Sequence, residues 1–101
     1  MRDINNVFIK TMEECGELTQ ACAKVIKYGT PEARHNLAEE CGDVLAFIHL
    51  LQRSGCVETE IVENKSRNTI LKYEPILEYS RVPELKISAG SQKISAGSQN
   101  G

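Results

Sequence analysis

The chain opens with a segment in which apolar residues recur every three or four positions. This stripe consists of Ile4, Val7, Phe8, Thr11, Cys15, Leu18, Cys22 and Val25. Asp3 is suited to cap the N-terminus of a helix, and Gly29 is suited to end one. The pattern therefore predicts an amphipathic helix over residues 3–28.

A second segment with the same periodicity begins at Thr30-Pro31, which is typical of an N-cap followed by the first helical position. It runs to about Arg53, before Gly55. Its apolar stripe consists of Ala33, Leu37, Val44, Phe47, Ile48 and Leu51. A break near residues 35–36 would let a longer helix, residues 37–52, turn back along the first helix.

A third helix is predicted from Thr59, as its N-cap, to about Tyr73. Glu74-Pro75 should end it, because a residue before proline disfavours the helical conformation. Beyond this point the helical signals weaken. Residues 76–85 are expected to form a short docked or extended segment.

The end of the chain contains a duplication. Lys-Ile-Ser-Ala-Gly-Ser-Gln occurs at residues 86–92 and again at 93–99. Its Gly, Ser and Gln content predicts a flexible tail without chemistry of its own. We therefore expect a helical domain over residues 1–79 and a tail over residues 80–101.

Three helical patterns predict an all-α protein, and the composition adds a constraint on its core. The chain has 101 residues, of which 41% are hydrophobic, with no Trp, three Tyr and two Phe. A chain of this size buries only about two thirds of its unfolded surface. We expect a helical bundle completed by oligomerisation, as a homodimer or homotetramer.

Charge and cysteine content narrow the classes of partner. A formal net charge of -2 gives no broad cationic surface for a nucleic acid polymer. The chain has no N-terminal apolar signal and no apolar run near the ~20 residues that span a membrane. Four cysteines without a CxxC motif predict a reducing, cytoplasmic setting, with Cys15 and Cys22 as buried thiols.

Two acidic motifs carry the chemical signal: Glu13-Glu14-x-x-Glu17 in the first helix and Glu40-x-x-Asp43 in the second. On helical spacing, Glu14 borders the first apolar stripe, with Glu17 next round the same side. Glu40 lies inside the second stripe, and Asp43 borders it. At least one carboxylate should therefore face the interior.

An inward-facing cluster of carboxylates has two unfavourable features, the loss of hydration and mutual repulsion, and both raise the pKa values of its members. A divalent cation removes both. Because the ligands are oxygen atoms, with no His or Cys at ligand spacing, the pattern favours Mg²⁺, with Mn²⁺ as a possible substitute.

Other interpretations of the acids are weaker. A solvated helix face accounts for Glu32 and Glu39 but not for Glu40. Its helical neighbours at minus three, plus four and plus seven are apolar: Leu37, Val44 and Phe47. A di-iron carboxylate bundle needs two Glu-x-x-His motifs, and only Glu32-x-x-His35 is present. A non-catalytic helical module that binds nucleotide or a protein partner stays open as an alternative.

The third predicted helix carries Lys65, Asn68 and Lys72 at spacings of three and four, so these side chains share one face. A solvated face is the ordinary explanation of such a stripe. Opposite a metal-holding acidic cluster, the same residues are suited to bind phosphate, with lysine as a point charge and asparagine as a donor.

The compound motif EExxE followed by ExxD, with the flanks Glu-Glu-Cys-Gly-Glu-Leu and Glu-Glu-Cys-Gly-Asp-Val-Leu, resembles the MazG-like all-α nucleotide pyrophosphohydrolases. The similarity covers roughly residues 8–72. It implies an α-helical dimer or tetramer that uses Mg²⁺ to split a nucleoside triphosphate into monophosphate and pyrophosphate.

The resemblance also implies roles for individual residues. The implied metal ligands are Glu14, Glu17, Glu40 and Asp43. The implied phosphate-binding residues are Lys65, Asn68 and Lys72. Glu13 and Glu14 are the candidates to accept the proton of the attacking water, because a carboxylate at such a site needs only modest basicity. Base preference, sugar preference and the choice between dimer and tetramer stay open.

Overall fold

The computed structural model describes residues 3–80, which form three α-helices. They are α1 (Ile4–Tyr28), α2 (Pro31–Ser54) and α3 (Thr59–Ser80). This part of the chain contains no strand, so the predicted all-α class is confirmed. None of the three helices is both long and apolar enough to cross a membrane. The predicted duplicated tail lies outside the described residues.

Both ends of α1 follow the sequence signals. The Asp3 carboxylate accepts a hydrogen bond from the backbone N–H of Asn5 at 2.9 Å, which satisfies one of the free donors of the first turn. Gly29 ends the helix with a φ of 62°, in the left-handed region. The Arg34 guanidinium donates to the Gly29 carbonyl at 2.7 Å, so a carbonyl beyond the end of α1 is also satisfied.

In α2, the Thr30 hydroxyl accepts a hydrogen bond from the backbone N–H of Ala33 at 3.1 Å, as expected for an N-cap. The predicted break near residues 35–36 is wrong, because Pro31–Ser54 is one continuous helix. Only Gly29 and Thr30 separate α1 from α2. The chain reverses its direction at these two residues, so α2 needs no break to run back along α1.

The contact between α1 and α2 makes an antiparallel helical hairpin. Its buried apolar residues among those described are Ala21 and Ala33, and no large side chain is fully buried. Cys15 and Cys22, predicted as buried thiols, are exposed. The periodicity of the α1 stripe was correct, but one neighbouring helix covers only part of its width.

The third helix begins one residue earlier than predicted. Thr59 is its first residue, and the carbonyl of Glu58 accepts the first helical hydrogen bond, from the N–H of Val62 at 3.1 Å. The chain forms two compact units, and the boundary between them falls within this helix, after Val62.

The predicted end of α3 at residues 74–75 is wrong, because the helix continues through Pro75 to Ser80. Residues 76–80, expected to be docked or extended, are therefore helical. Proline removes one backbone hydrogen bond, which is unfavourable by ~3 kcal/mol in a helix interior.

We expect Gly29→Ala to lower the free energy of unfolding by about 1–2 kcal/mol, because an L-residue is strained at positive φ. Urea denaturation followed by circular dichroism measures the change. Gly42→Ala is the control, since an added Cβ at this helical position meets nothing within 4 Å. It should raise stability by up to ~1 kcal/mol through helix propensity. Equal effects of the two variants would contradict a strain at residue 29.

Candidate metal centre

Three carboxylates converge on one point of the hairpin. Glu14 of α1 and the pair Glu40 and Asp43 of α2 each place one carboxylate oxygen so that all three oxygens lie within 4.8 Å of one another. Glu40 and Asp43 point to the same side because residues three apart on a helix are neighbours. The second helix supplies two ligand groups and the first helix faces them with one.

The cluster is enclosed at one end and open at the other. Glu14 is buried, with 9% of its surface exposed, Glu40 is half-buried, and Asp43 is exposed. A cation therefore has access from the Asp43 side. At the Glu14 end, the packing of the two helices excludes most of the solvent.

Two buried oxygen atoms of the cluster have no hydrogen-bond donor within the described chain: Oε1 of Glu14 and Oε1 of Glu40. Leaving a buried acceptor without a partner is unfavourable by about 1–3 kcal/mol, and more when it is charged. A hard divalent cation satisfies such oxygens directly. The residues present thus fit a magnesium or manganese ion. An ordinary solvated helix face would not contain buried carboxylate oxygens without a donor.

The electrostatics of the cluster agree with its geometry. Burial raises the pKa of Glu14, and the charges of Glu17 and Asp43 raise it further. Burial also raises the pKa of Glu40, followed by the charges of Glu17, Asp43 and Glu14. Without a metal ion, protons reduce the negative charge of this group of acids and so stabilise it. A divalent cation would also compensate this negative charge.

Glu17, the fourth predicted ligand, is exposed and lies outside the set of three converging oxygens. Its charge nevertheless raises the pKa of both Glu14 and Glu40, so it belongs to the same electrostatic cluster. Its role as a ligand stays a prediction.

Glu13 is exposed, lies outside the set of three converging oxygens, and forms an ion pair with Lys10, whose Nζ lies 3.0 Å from Oε1 of Glu13. The pKa of Lys10 is raised by the hydrogen bond and charge of Glu13, and to a smaller extent by Glu14 and Glu17. Lys10 was not among the residues predicted from the sequence. Its i,i+3 spacing from Glu13 could have indicated this ion pair, but such spacing is common on helix surfaces.

The predicted phosphate-binding residues share one face of α3. Lys65, Asn68 and Lys72 line a single shallow groove together with Thr69 and Tyr73. Their side chains are exposed and available to a ligand. Their function stays a prediction.

A hairpin of two helices that gathers carboxylates at its interface defines a class of all-α proteins with a candidate divalent-metal site. Comparison with known families narrows this class. The MazG nucleotide pyrophosphohydrolase domain matches residues 3–72, which is more than half of the chain. The protein therefore belongs to the MazG nucleotide pyrophosphohydrolase family, as its acidic motifs indicated. No curated protein and no solved structure matches the chain significantly.

The raised pKa values of Glu14 and Glu40 predict an unusual pH dependence in chelator-treated protein. Both carboxyls have an ordinary value of 4.5, and each takes up its proton more readily in the folded chain. This contribution to the free energy of unfolding should fall as pH rises from about 4.5 through the raised pKa values, and then level off.

Urea denaturation across this pH range measures the effect. In a Glu14→Gln/Glu40→Gln double variant the falling component should disappear, while Glu63→Gln, at an exposed position of α3, should retain it. A wild-type curve parallel to that of the double variant would contradict the interpretation.

Proposed function

We propose that this protein is a divalent-cation-dependent hydrolase that splits a nucleoside or deoxynucleoside triphosphate into the monophosphate and pyrophosphate. The observation that carries the proposal is the convergence of Glu14, Glu40 and Asp43, with two buried oxygens that lack a donor. Membership of the MazG family supports the reaction type.

The metal would be held by the three converging carboxylates, with Glu17 as the additional ligand that the family resemblance implies. A bound Mg²⁺ or Mn²⁺ ion would neutralise charge on the substrate phosphates and on the leaving pyrophosphate. Asp43 is the most exposed of the converging three, so the phosphate chain would approach the cluster from its side.

In the reaction, the oxygen of a water molecule attacks the α-phosphorus, and the bond to the bridging α,β-oxygen breaks as pyrophosphate leaves. A carboxylate accepts the proton of the water. Glu14 and Glu13 are the candidates. Glu14 is part of the cluster and has a raised pKa, whereas Glu13 is exposed and forms an ion pair with Lys10.

The α3 groove supplies the positive charge that a triphosphate needs. We assign phosphate binding to Lys65, Asn68 and Lys72, because two ammonium groups and one amide donor on a common face complement phosphate oxygens. The alternative function, a non-catalytic module that binds nucleotide, uses this groove but not the metal site. The two functions therefore differ in their dependence on the acidic cluster.

Glu40→Gln separates these alternatives, because it keeps the size of the side chain and removes its charge. Purified protein is incubated with a panel of triphosphates and Mg²⁺, and pyrophosphate and orthophosphate are measured separately. We expect pyrophosphate and monophosphate from the wild type and at least a ~100-fold loss in the variant. The Mg²⁺-induced rise in Tm should also be lost.

Glu39→Gln is the matched control. Glu39 is the neighbouring residue on α2, and its carboxylate is exposed and lies 3.4 Å from His35. This variant should keep both turnover and the Mg²⁺ response. Turnover retained in Glu40→Gln would contradict the metal assignment, and no product from any triphosphate with the wild type would favour the binding module.

We also propose that two or more copies of the chain assemble through the uncovered side of α1. Six residues at spacings of four and three form a stripe without a charge on this side, and all six are exposed in the single chain. They are Phe8, Met12, Cys15, Thr19, Cys22 and Ile26. The Thr19 hydroxyl is already satisfied by the carbonyl of Cys15 at 3.0 Å, so it can be buried without loss. Alternating spacings of four and three are typical of a helix face that packs against another helix, so this stripe could contact a second helix besides α2.

Ile26→Glu tests this assembly, since Ile26 is 88% exposed and contributes little to the hairpin itself. A charge there should raise the dissociation constant of the oligomer at least ~10-fold, on the scale of one buried aliphatic side chain. Sedimentation equilibrium measures it, with circular dichroism to verify the fold. Gln20→Glu, off the stripe, should leave assembly unchanged. A monomeric wild type would refute the proposal.

A further inference from the structure

Tyr73 lies where two shallow grooves of α3 meet. The first groove is polar and is lined by Lys65, Asn68, Thr69, Lys72 and Tyr73. The second is almost entirely apolar and is lined by Thr69, Ile70, Tyr73, Glu74, Ile76 and Leu77. The aromatic ring thus has ammonium and amide groups on one side and aliphatic side chains on the other.

The ring is open to a ligand. Tyr73 is 52% exposed even with Nζ of Lys72 over its ring, 5.4 Å from the centroid, in a cation–π contact. A ring with this exposure leaves much of its apolar surface in water, so a flat partner gains free energy by covering it.

An adjacent lysine and tyrosine are not distinctive by themselves, because Lys27 and Tyr28 form a similar pair at 5.2 Å. The surroundings differ. Tyr28 is the last residue of α1, whereas Tyr73 lies inside α3 with helical turns on both sides. The turns before Tyr73 supply the lysines, the amide of Asn68 and Ile70, and the turn after it supplies Ile76 and Leu77.

The polar groove and the apolar groove that meet at Tyr73 match the two ends of a nucleotide, its phosphates and its base. Lys65 and Lys72 are seven residues apart, which is roughly 10 Å along a helix, so the row can contact more than one phosphate group. A nucleobase is flat, and it stacks on an aromatic side chain whatever its hydrogen-bonding edge.

We propose that Tyr73 is a substrate-binding residue of α3 that stacks on the base of a nucleoside phosphate. In this orientation the phosphate chain runs from Lys72 toward Lys65, with the terminal phosphate nearest Lys65. The inference rests on the proposed function for the identity of the ligand, and it deepens that function by assigning the nucleoside end of the substrate to a named side chain.

Equilibrium binding separates the base from the phosphates. Two ligands are titrated in Mg²⁺: a deoxynucleoside triphosphate with a non-hydrolysable α,β-imido bridge, and inorganic tripolyphosphate. Tyr73→Ala should weaken binding of the nucleotide ~5- to 150-fold, the range for loss of one base–aromatic stack. Its affinity for tripolyphosphate should stay that of the wild type, because the lysines are intact.

Two further variants control the measurement. Tyr73→Phe keeps the ring and should bind the nucleotide like the wild type. Tyr28→Ala removes a tyrosine that is 60% exposed and also lies beside a lysine, and it should leave both affinities unchanged. Circular dichroism of each variant verifies that the helices are retained.

Several results would overturn the inference. They are an unchanged nucleotide affinity in Tyr73→Ala, an equal loss of nucleotide and tripolyphosphate, a loss in Tyr73→Phe, and a wild type that binds nucleotide no better than tripolyphosphate. None of these measurements requires turnover. Failure of the proposed hydrolase activity appears separately, as absence of pyrophosphate from every triphosphate in the wild-type assay.

Discussion

The burial and mutual repulsion of carboxylates between two packed helices is the constraint on which the chemistry of the hairpin depends. Glu14 is buried, and two acids of α2, Glu40 and Asp43, each place a carboxylate oxygen within 4.8 Å of an oxygen of Glu14. Glu14 and Glu40 each retain a buried oxygen without a donor. A fold selected for stability alone would place apolar residues there. The arrangement is understandable if a divalent cation is the missing partner, so the unfavourable electrostatics of the isolated chain and its proposed activity have one cause.

The same hairpin is incomplete as a hydrophobic core. Its fully and nearly fully buried apolar positions, Ala21 and Ala33, bring the helices close together but bury little surface. The apolar surface that remains exposed on α1 is available to another helix, as the proposed assembly requires.

The residues proposed to bind the different parts of a nucleotide lie on different helices. Carboxylates of α1 and α2 are suited to a metal ion, and α3 presents cations beside an aromatic ring and aliphatic side chains. Lys10 adds a cation that pairs with Glu13, and the charges of Glu14 and Glu17 also raise its pKa. Each group is explained by local helical spacing, and we propose a different part of the substrate for each: the metal-bound phosphates, the phosphate chain and the base.

Local sequence signals determined the three helices, the caps at Asp3 and Thr30, the turn at Gly29, and the side of α2 on which Glu40 and Asp43 lie. These features depend on backbone conformation and on spacings of three and four, which the sequence states directly. Tertiary structure decided what depends on a neighbour: α2 runs unbroken because the reversal takes only two residues, and Cys15 and Cys22 stay exposed because α2 covers part of the stripe. Periodicity gives the direction of a side chain, but only the packed partner determines how much of that face is covered.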